Sequence, residues 1–312
     1  MASKHSSKTV IFAALIGNFL IFLTKLGAAF YTNSSAMFSE AIHSIVDCGN
    51  QGLLLYGIKK ADRKADRKHP FGYGKELYFW SFVVAIIIFA IGAGVSLYEG
   101  IHKIMTPEEV KSIHVNYIVL VIAICFEAYP WKMAYDEFNA RRGKRGMFDA
   151  IRHSKDPSLF AILFEDTAAM LGLFTALVGL FIGDNFNIPE ADGAASVVIG
   201  IILALTAVVL AIECKGLLIG EAADETIIAS IEALTENHEY VESINEILTM
   251  HFGPSDILLN LSLDFKKDIY AVDVENMITK FEIQIKEKHP DIKRIFIEAQ
   301  SFIGHQKNAL SE

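Results

Sequence analysis

The stretch EAIHSIVDCGNQ, residues 40–51, puts a glutamate, a histidine and an aspartate inside a run that is otherwise largely apolar. His43 and Asp47 are four residues apart and Glu40 is three before His43, so on a helix the three share one face. At about 1.5 Å per residue, Asp47 lies about 16 Å along a helix that begins near Ala36. Two further apolar runs carry acids. Glu165 and Asp166 are adjacent in LFEDTAAMLG, and Glu127 stands in AICFEAYPWK, one turn before Pro130. A proline there frees backbone carbonyls and marks a bend or a cavity.

One imidazole and several carboxylates at one depth suit a divalent cation. Imidazole with carboxylate fits Zn²⁺ and also Mn²⁺ or Fe²⁺, and the lack of sulfur donors argues against Cu⁺. Such ligands bind metal only when deprotonated, so the same groups can exchange a metal ion for protons. Glu165 with Asp166 has no packing purpose in an apolar helix, whereas Glu40, nearer the outer end, reads more as a structural partner. Cys48, Cys125 and Cys214 are an odd, scattered set that gives no disulfide framework.

The elements that must position these groups are apolar helices. Of the 312 residues, 52% are hydrophobic and only 21% charged, a balance too apolar for an ordinary soluble domain. Six stretches approach the roughly 20 apolar residues of a membrane span: 10–31, 36–58, 77–101, 115–138, 158–182 and 192–219. An integral membrane protein with six spans is therefore expected. The apolar run of the first span is too long for a cleaved signal peptide.

Basic residues set the expected orientation. Lys59, Lys60, Arg63, Lys64, Arg67 and Lys68 follow the second span, and Arg141, Arg142, Lys144, Arg145, Arg152 and Lys155 follow the fourth. The connections 32–35 and 183–190 carry neither Lys nor Arg. Both termini are expected on the cytoplasmic side, in the cell (inner) membrane if the source is prokaryotic.

Beyond Gly220 the composition changes. Residues 221–312 hold 18 Asp and Glu against eight Lys and Arg, so the acidity of a chain with net charge −9 sits in this tail. Nucleic acid is not an expected partner of such a surface. The pattern reads helix 225–237, strands 244–252 and 257–265 joined at GPSD, helix 272–289 and strand 292–298. Two domains follow: a transmembrane domain over 1–220 and a cytoplasmic α+β domain over 221–312.

Taken in order, His43-x-x-x-Asp47, HPFGYGKE (69–76), Asp166, DGAAS (192–196) and LIGEAADE (218–225) resemble the cation diffusion facilitator family. SEAIHS, GNQGLL and EDTAAMLG resemble the branch that contains the mitochondrial zinc exporter. The resemblance covers almost the whole chain. It implies a homodimer, a metallochaperone-like (ferredoxin-like) cytoplasmic domain, and export of Zn²⁺ from the cytoplasm in exchange for protons, with Mn²⁺, Fe²⁺, Co²⁺ and Cd²⁺ as further candidate ions.

Carried over residue by residue, the resemblance makes His43, Asp47 and Asp166 metal ligands. The family's remaining ligand position falls on Ile162, four before Asp166. Glu165 is inferred to replace it, with Glu127 the next candidate. The family's second site, in the loop after the second span, maps to Asp66 and His69, but Tyr73 stands where its second His would be, so a weak site or none is expected. The family's tail sites find no His in LLNLSLDF or FIEAQS, and His238, His251, His289 and His305 are expected at the surface.

Other classes of protein remain in view. A uniporter or channel would spread weak sites along a pore, whereas these ligands gather at one depth. A non-transporting metal sensor or scaffold would recruit partners through its acidic tail and would not need His43, Asp47 and Asp166. An intramembrane metalloprotease would need an HExxH-like pair, which the chain lacks, and no enzymatic activity is expected.

Overall fold

The computed structural model describes residues 3–143, 146, 150–151, 154–236 and 238–309. Lys144, Arg145 and Arg152 of the basic connection, and Asn237, lie outside these residues. The chain divides into two compact units, one of residues 1–59 and 77–215 and one of residues 60–76 and 216–312.

The first unit is built of long helices: α1 (Ser3–Thr32), α2 (Ser35–Ala61), α3 (Lys75–Met105), α4 (Ile113–Arg142), α5 (Pro157–Phe186) and α6 (Glu190–Ile219). Among the described residues four of them, α3 to α6, are long and apolar enough to cross a membrane. In α2 the inward stripe is itself polar, because Ser35, Ser39, Glu40, His43, Ser44, Asp47 and Asn50 are all buried. The outward faces are apolar, with Phe30 75% and Leu205 63% exposed. A soluble protein rarely leaves contiguous surfaces of this kind uncovered, and a lipid environment matches them.

Three local devices fix α2, which carries the site. Asn33 takes positive φ (60°) and turns the chain sharply from α1. Asp192, at the start of α6, caps α2: its carboxylate accepts from the Ser35 amide (2.6 Å) and from the hydroxyls of Ser34 (2.5 Å) and Ser35 (2.9 Å). Negative charge is favourable at a helix N-terminus, whose amides have no partners of their own. One turn further on, Ser39 bonds Ser196 of α6 (2.6 Å), which donates to the Ser96 carbonyl of α3 (2.8 Å). Small residues let α3 and α6 approach closely. A Cβ on Gly100 would lie 2.6 Å from the Val197 amide, and one on Gly200 would lie 2.7 Å from Leu97. Ile88–Ala93 of α3 is a π-helical segment.

The second unit contains α7 (Glu225–Thr235), β1 (Val241–Gly253), β2 (Asp256–Phe265), α8 (Ala271–Lys288), β3 (Ile292–Ala299) and α9 (Phe302–Ala309). The sheet order is β1-β2-β3, antiparallel between β1 and β2 and parallel between β2 and β3. Parallel strands need a crossover, and α8 supplies it. Alternation along β2 buries Ile257, Leu259, Leu261 and Leu263, which pack with Ile231 of α7 and Met277, Phe281 and Ile285 of α8. The expected tail elements are all present, and α9 is an addition. His251 corrects the expectation of surface histidines. It is 4% exposed, and its Nδ1 lies 3.2 Å from the Gly253 carbonyl.

Residues 60–76 belong to this second unit. Phe71 stacks on Phe252 (5.0 Å), Arg294 lies over Phe71, and a Cβ on Gly74 would meet the Phe252 carbonyl at 2.2 Å. Only glycine fits there.

Candidate metal centre

Helical periodicity brings the polar residues of α2 into one inward stripe, and α1, α4 and α5 each present a counterpart to it. His43 is 1% and Asp47 8% exposed. His43 Nδ1 is 3.2 Å from Asp47 Oδ1. From α5, Glu165 is 4% exposed and its Oε1 accepts from Asn50 Nδ2 at 2.6 Å. Its carboxyl is near enough to that of Asp47 for the two to interact electrostatically. Asp166 is half-buried on the next step of α5, whereas Ile162 is 39% exposed. The turn of α5 that faces α2 is therefore occupied by Glu165.

Several of these groups lack hydrogen bonds. Both ring nitrogens of His43, Oδ1 of Asp47 and Oδ2 of Asp166 are buried without a hydrogen-bond partner. Buried polar atoms are nearly always paired, since an unmet group costs about 1–3 kcal/mol. His43 Nδ1 and Asp47 Oδ1 face only each other, and His43 Nε2 and Asp166 Oδ2 face no polar group of the protein, so the bundle interior holds unspent metal-ligating capacity. Among the described residues, no three His, Cys, Asp or Glu side chains stand close enough together to ligate one ion.

Glu127 has a different neighbour. It is 7% exposed, and its Oε1 lies 3.9 Å from the ammonium of Lys25 on α1. The same ammonium bonds Glu40 (3.2 Å) and Ser44 (2.9 Å) of α2. Lys25 and Asn50 are absent from the sequence-derived site. The signal for Lys25 is an ionisable side chain in the middle of an apolar run, the same feature that singles out Glu127. Asn50 carries no charge and offers no comparable signal.

The loop site is assembled but already satisfied. Asp66 and His69 are exposed, with His69 Nδ1 3.6 Å from Asp66 Oδ1. Asp66 Oδ2 accepts from the Tyr73 hydroxyl (2.7 Å), and Oδ1 accepts from the amides of Lys68 (2.9 Å) and His69 (2.8 Å). The Tyr73 hydroxyl and these amides hold the Asp66 carboxyl below the usual carboxylate range. Tyr73 takes the place beside Asp66 that a metal ion would need. Cys48, Cys125 and Cys214 are all free thiols.

Residues 11–219 match the cation efflux transmembrane domain, and the chain belongs to this family. Within it, the chain is 31% identical over 264 residues to the mitochondrial proton-coupled zinc antiporter SLC30A9 of Homo sapiens, covering 84% of this chain and 46% of that protein. It is 29% identical to metal tolerance protein C4 of Arabidopsis thaliana over 84% of this chain and 58% of the relative. It is also 24% identical to the manganese efflux system protein MneP of Bacillus subtilis, over 97% of this chain and 99% of MneP. The chain thus spans about half the length of the first two relatives and nearly all of the third.

Proposed function

We propose that this chain exports a divalent metal cation across a membrane in exchange for protons, through His43 and Asp47 of α2 and Glu165 and Asp166 of α5. The observation that carries this reading is the set of buried, unpartnered donor atoms on His43, Asp47 and Asp166. A transported ion supplies the missing partner, and protons supply it when the ion has left. Binding would draw the two helices' ligands together, since they do not surround one point as they stand.

Zn²⁺ suits the imidazole, and the carboxylates widen the range toward Mn²⁺, Fe²⁺, Co²⁺ and Cd²⁺. The similarity to a zinc antiporter and to a manganese efflux protein supports both halves of that range. In this reading α1 and α2 complete a six-span bundle with α3 to α6. The basic connections and the tail, a metallochaperone-like domain, face the cytoplasm. Glu127 is a weaker candidate ligand, and Asp66 with His69 a weaker site, because both already have protein partners.

The test is Zn²⁺ and Mn²⁺ flux in liposomes holding the purified chain, with an imposed pH gradient. An opposing proton gradient should drive uptake, and metal affinity should fall as pH drops, because protons compete with the ion for the same imidazole and carboxylate donors. Flux indifferent to pH and to the gradient would select the channel reading. In the same vesicles, a cysteine placed at Asn187 should react with impermeant reagent only from the side opposite Gly143. A second copy of the chain is the remaining partner. Ala90 and Gly94, four apart on the exposed face of α3, offer a close helix contact. A monomeric mass in detergent with full activity would remove the dimer.

A further inference from the structure

Lys25 is the charged residue that the transport reading leaves over. It is 1% exposed, and its ammonium touches oxygens from two other helices: Ser44 at 2.9 Å and Glu40 at 3.2 Å on α2, and Glu127 at 3.9 Å on α4. An isolated lysine at mid-span costs about 2.5–3.5 kcal/mol by insertion scales, so its three partners are what allow it to sit there. They do not balance it. Two carboxylates surround one ammonium, and Glu40, fully buried, keeps Oε1 without a hydrogen-bond partner. That oxygen lies where a Cβ on Gly172 of α5 would be, only 2.2 Å from the ideal position. The absence of a side chain at Gly172 thus makes room for it. Glu40 is three residues before His43, so this oxygen cluster is one helical turn from the proposed transport ligands.

We infer that Glu40, Ser44 and Glu127 form a second cation site, which the ammonium of Lys25 fills as a tethered substitute for a metal ion. The site consists of carboxylate and hydroxyl oxygens, a hard donor set suited to Mn²⁺ or Mg²⁺ rather than to a soft ion. With Lys25 in place the chain is restricted to the ion held by His43 and Asp47. The inference uses the transport reading only to define the first site, and it stands or falls separately.

The test measures Mn²⁺ bound to the purified full chain at saturation by equilibrium dialysis. Wild type should bind about one ion per chain, and Lys25→Met, which keeps an apolar stem of similar reach and removes the ammonium, about two. Adding Glu127→Gln to Lys25→Met should return the count to one. In a His43→Ala/Asp47→Ala background the counts should be zero with Lys25 and one with Met at that position. A wild type that binds none, beside a Lys25→Met chain that binds one, would remove the transport site and leave this inference standing. Excess Mn²⁺ should also raise the melting temperature of Lys25→Met more than that of wild type, because an ion that binds only the folded state stabilises it. An unchanged count in Lys25→Met overturns the inference. So does a Lys25→Met chain that fails to fold even with excess Mn²⁺, because an ion able to replace the ammonium would restore the packing.

Discussion

Asp47→Ala is expected to abolish metal flux, with binding weakened at least about 100-fold, or about 2.8 kcal/mol. Two properties of Asp47 lead to this. Its Oδ1 is buried without a hydrogen bond and lies 3.2 Å from His43 Nδ1, so it is poised for an ion and engaged with little else. It also lies beside His43 on its own helix and interacts electrostatically with Glu165 of α5. Its loss therefore takes a charged ligand away and separates the two halves of the site. Asp47→Asn keeps the volume and removes the charge, and should be nearly as damaging. Elution of both variants where the wild type elutes would show that the loss is one of metal binding and not of folding. Flux above about a tenth of wild type in Asp47→Ala would mean that the ion passes elsewhere in the bundle.

Much of this arrangement is legible in the sequence because membrane helices are written in a coarse code. Long apolar runs mark α3 to α6, and a polar stripe at helical spacing marks the inward face of α2. In the tail, the alternation of Ile257, Leu259, Leu261 and Leu263 marks a strand with one buried face. What the sequence conceals is pairing between distant residues. Asp192 caps α2 from 157 positions away in the chain, and no local pattern announces that partner. Lys25 reads as an oddity in an apolar run until Glu40, Ser44 and Glu127 are seen around it. His251 is buried although no local pattern announces it, and its amide donates to the Glu221 carbonyl 30 positions earlier in the chain. The short helix α9 follows a strand with little periodicity of its own.

Glu165 is the residue where the site departs from the family pattern, and it yields the more discriminating result. Glu165→Gln is expected to weaken metal binding tenfold or more, at least about 1.4 kcal/mol, while Glu127→Gln has a smaller effect. The two glutamates are alike in burial, at 4% and 7% exposed, so burial does not separate them. Their neighbours do. Glu165 is held by an amide, Asn50 at 2.6 Å, which orients the carboxylate without neutralising it. Its second oxygen is therefore not committed to a cation of the protein, as the Glu127 carboxylate is. Glu127 lies beside an ammonium, so part of its field is already met within the protein. Asn50→Ala supplies the matching control. It leaves the Glu165 charge in place but loosens its aim, and should cost less than Glu165→Gln, because supporting partners of a ligand contribute less than the ligand's own charge. Position 162 does not compete for the role, since Ile162 is 39% exposed while Glu165 faces inward. Normal binding in Glu165→Gln with loss in Glu127→Gln would transfer the fourth ligand to α4, and Lys25 would then have to release Glu127 whenever an ion binds.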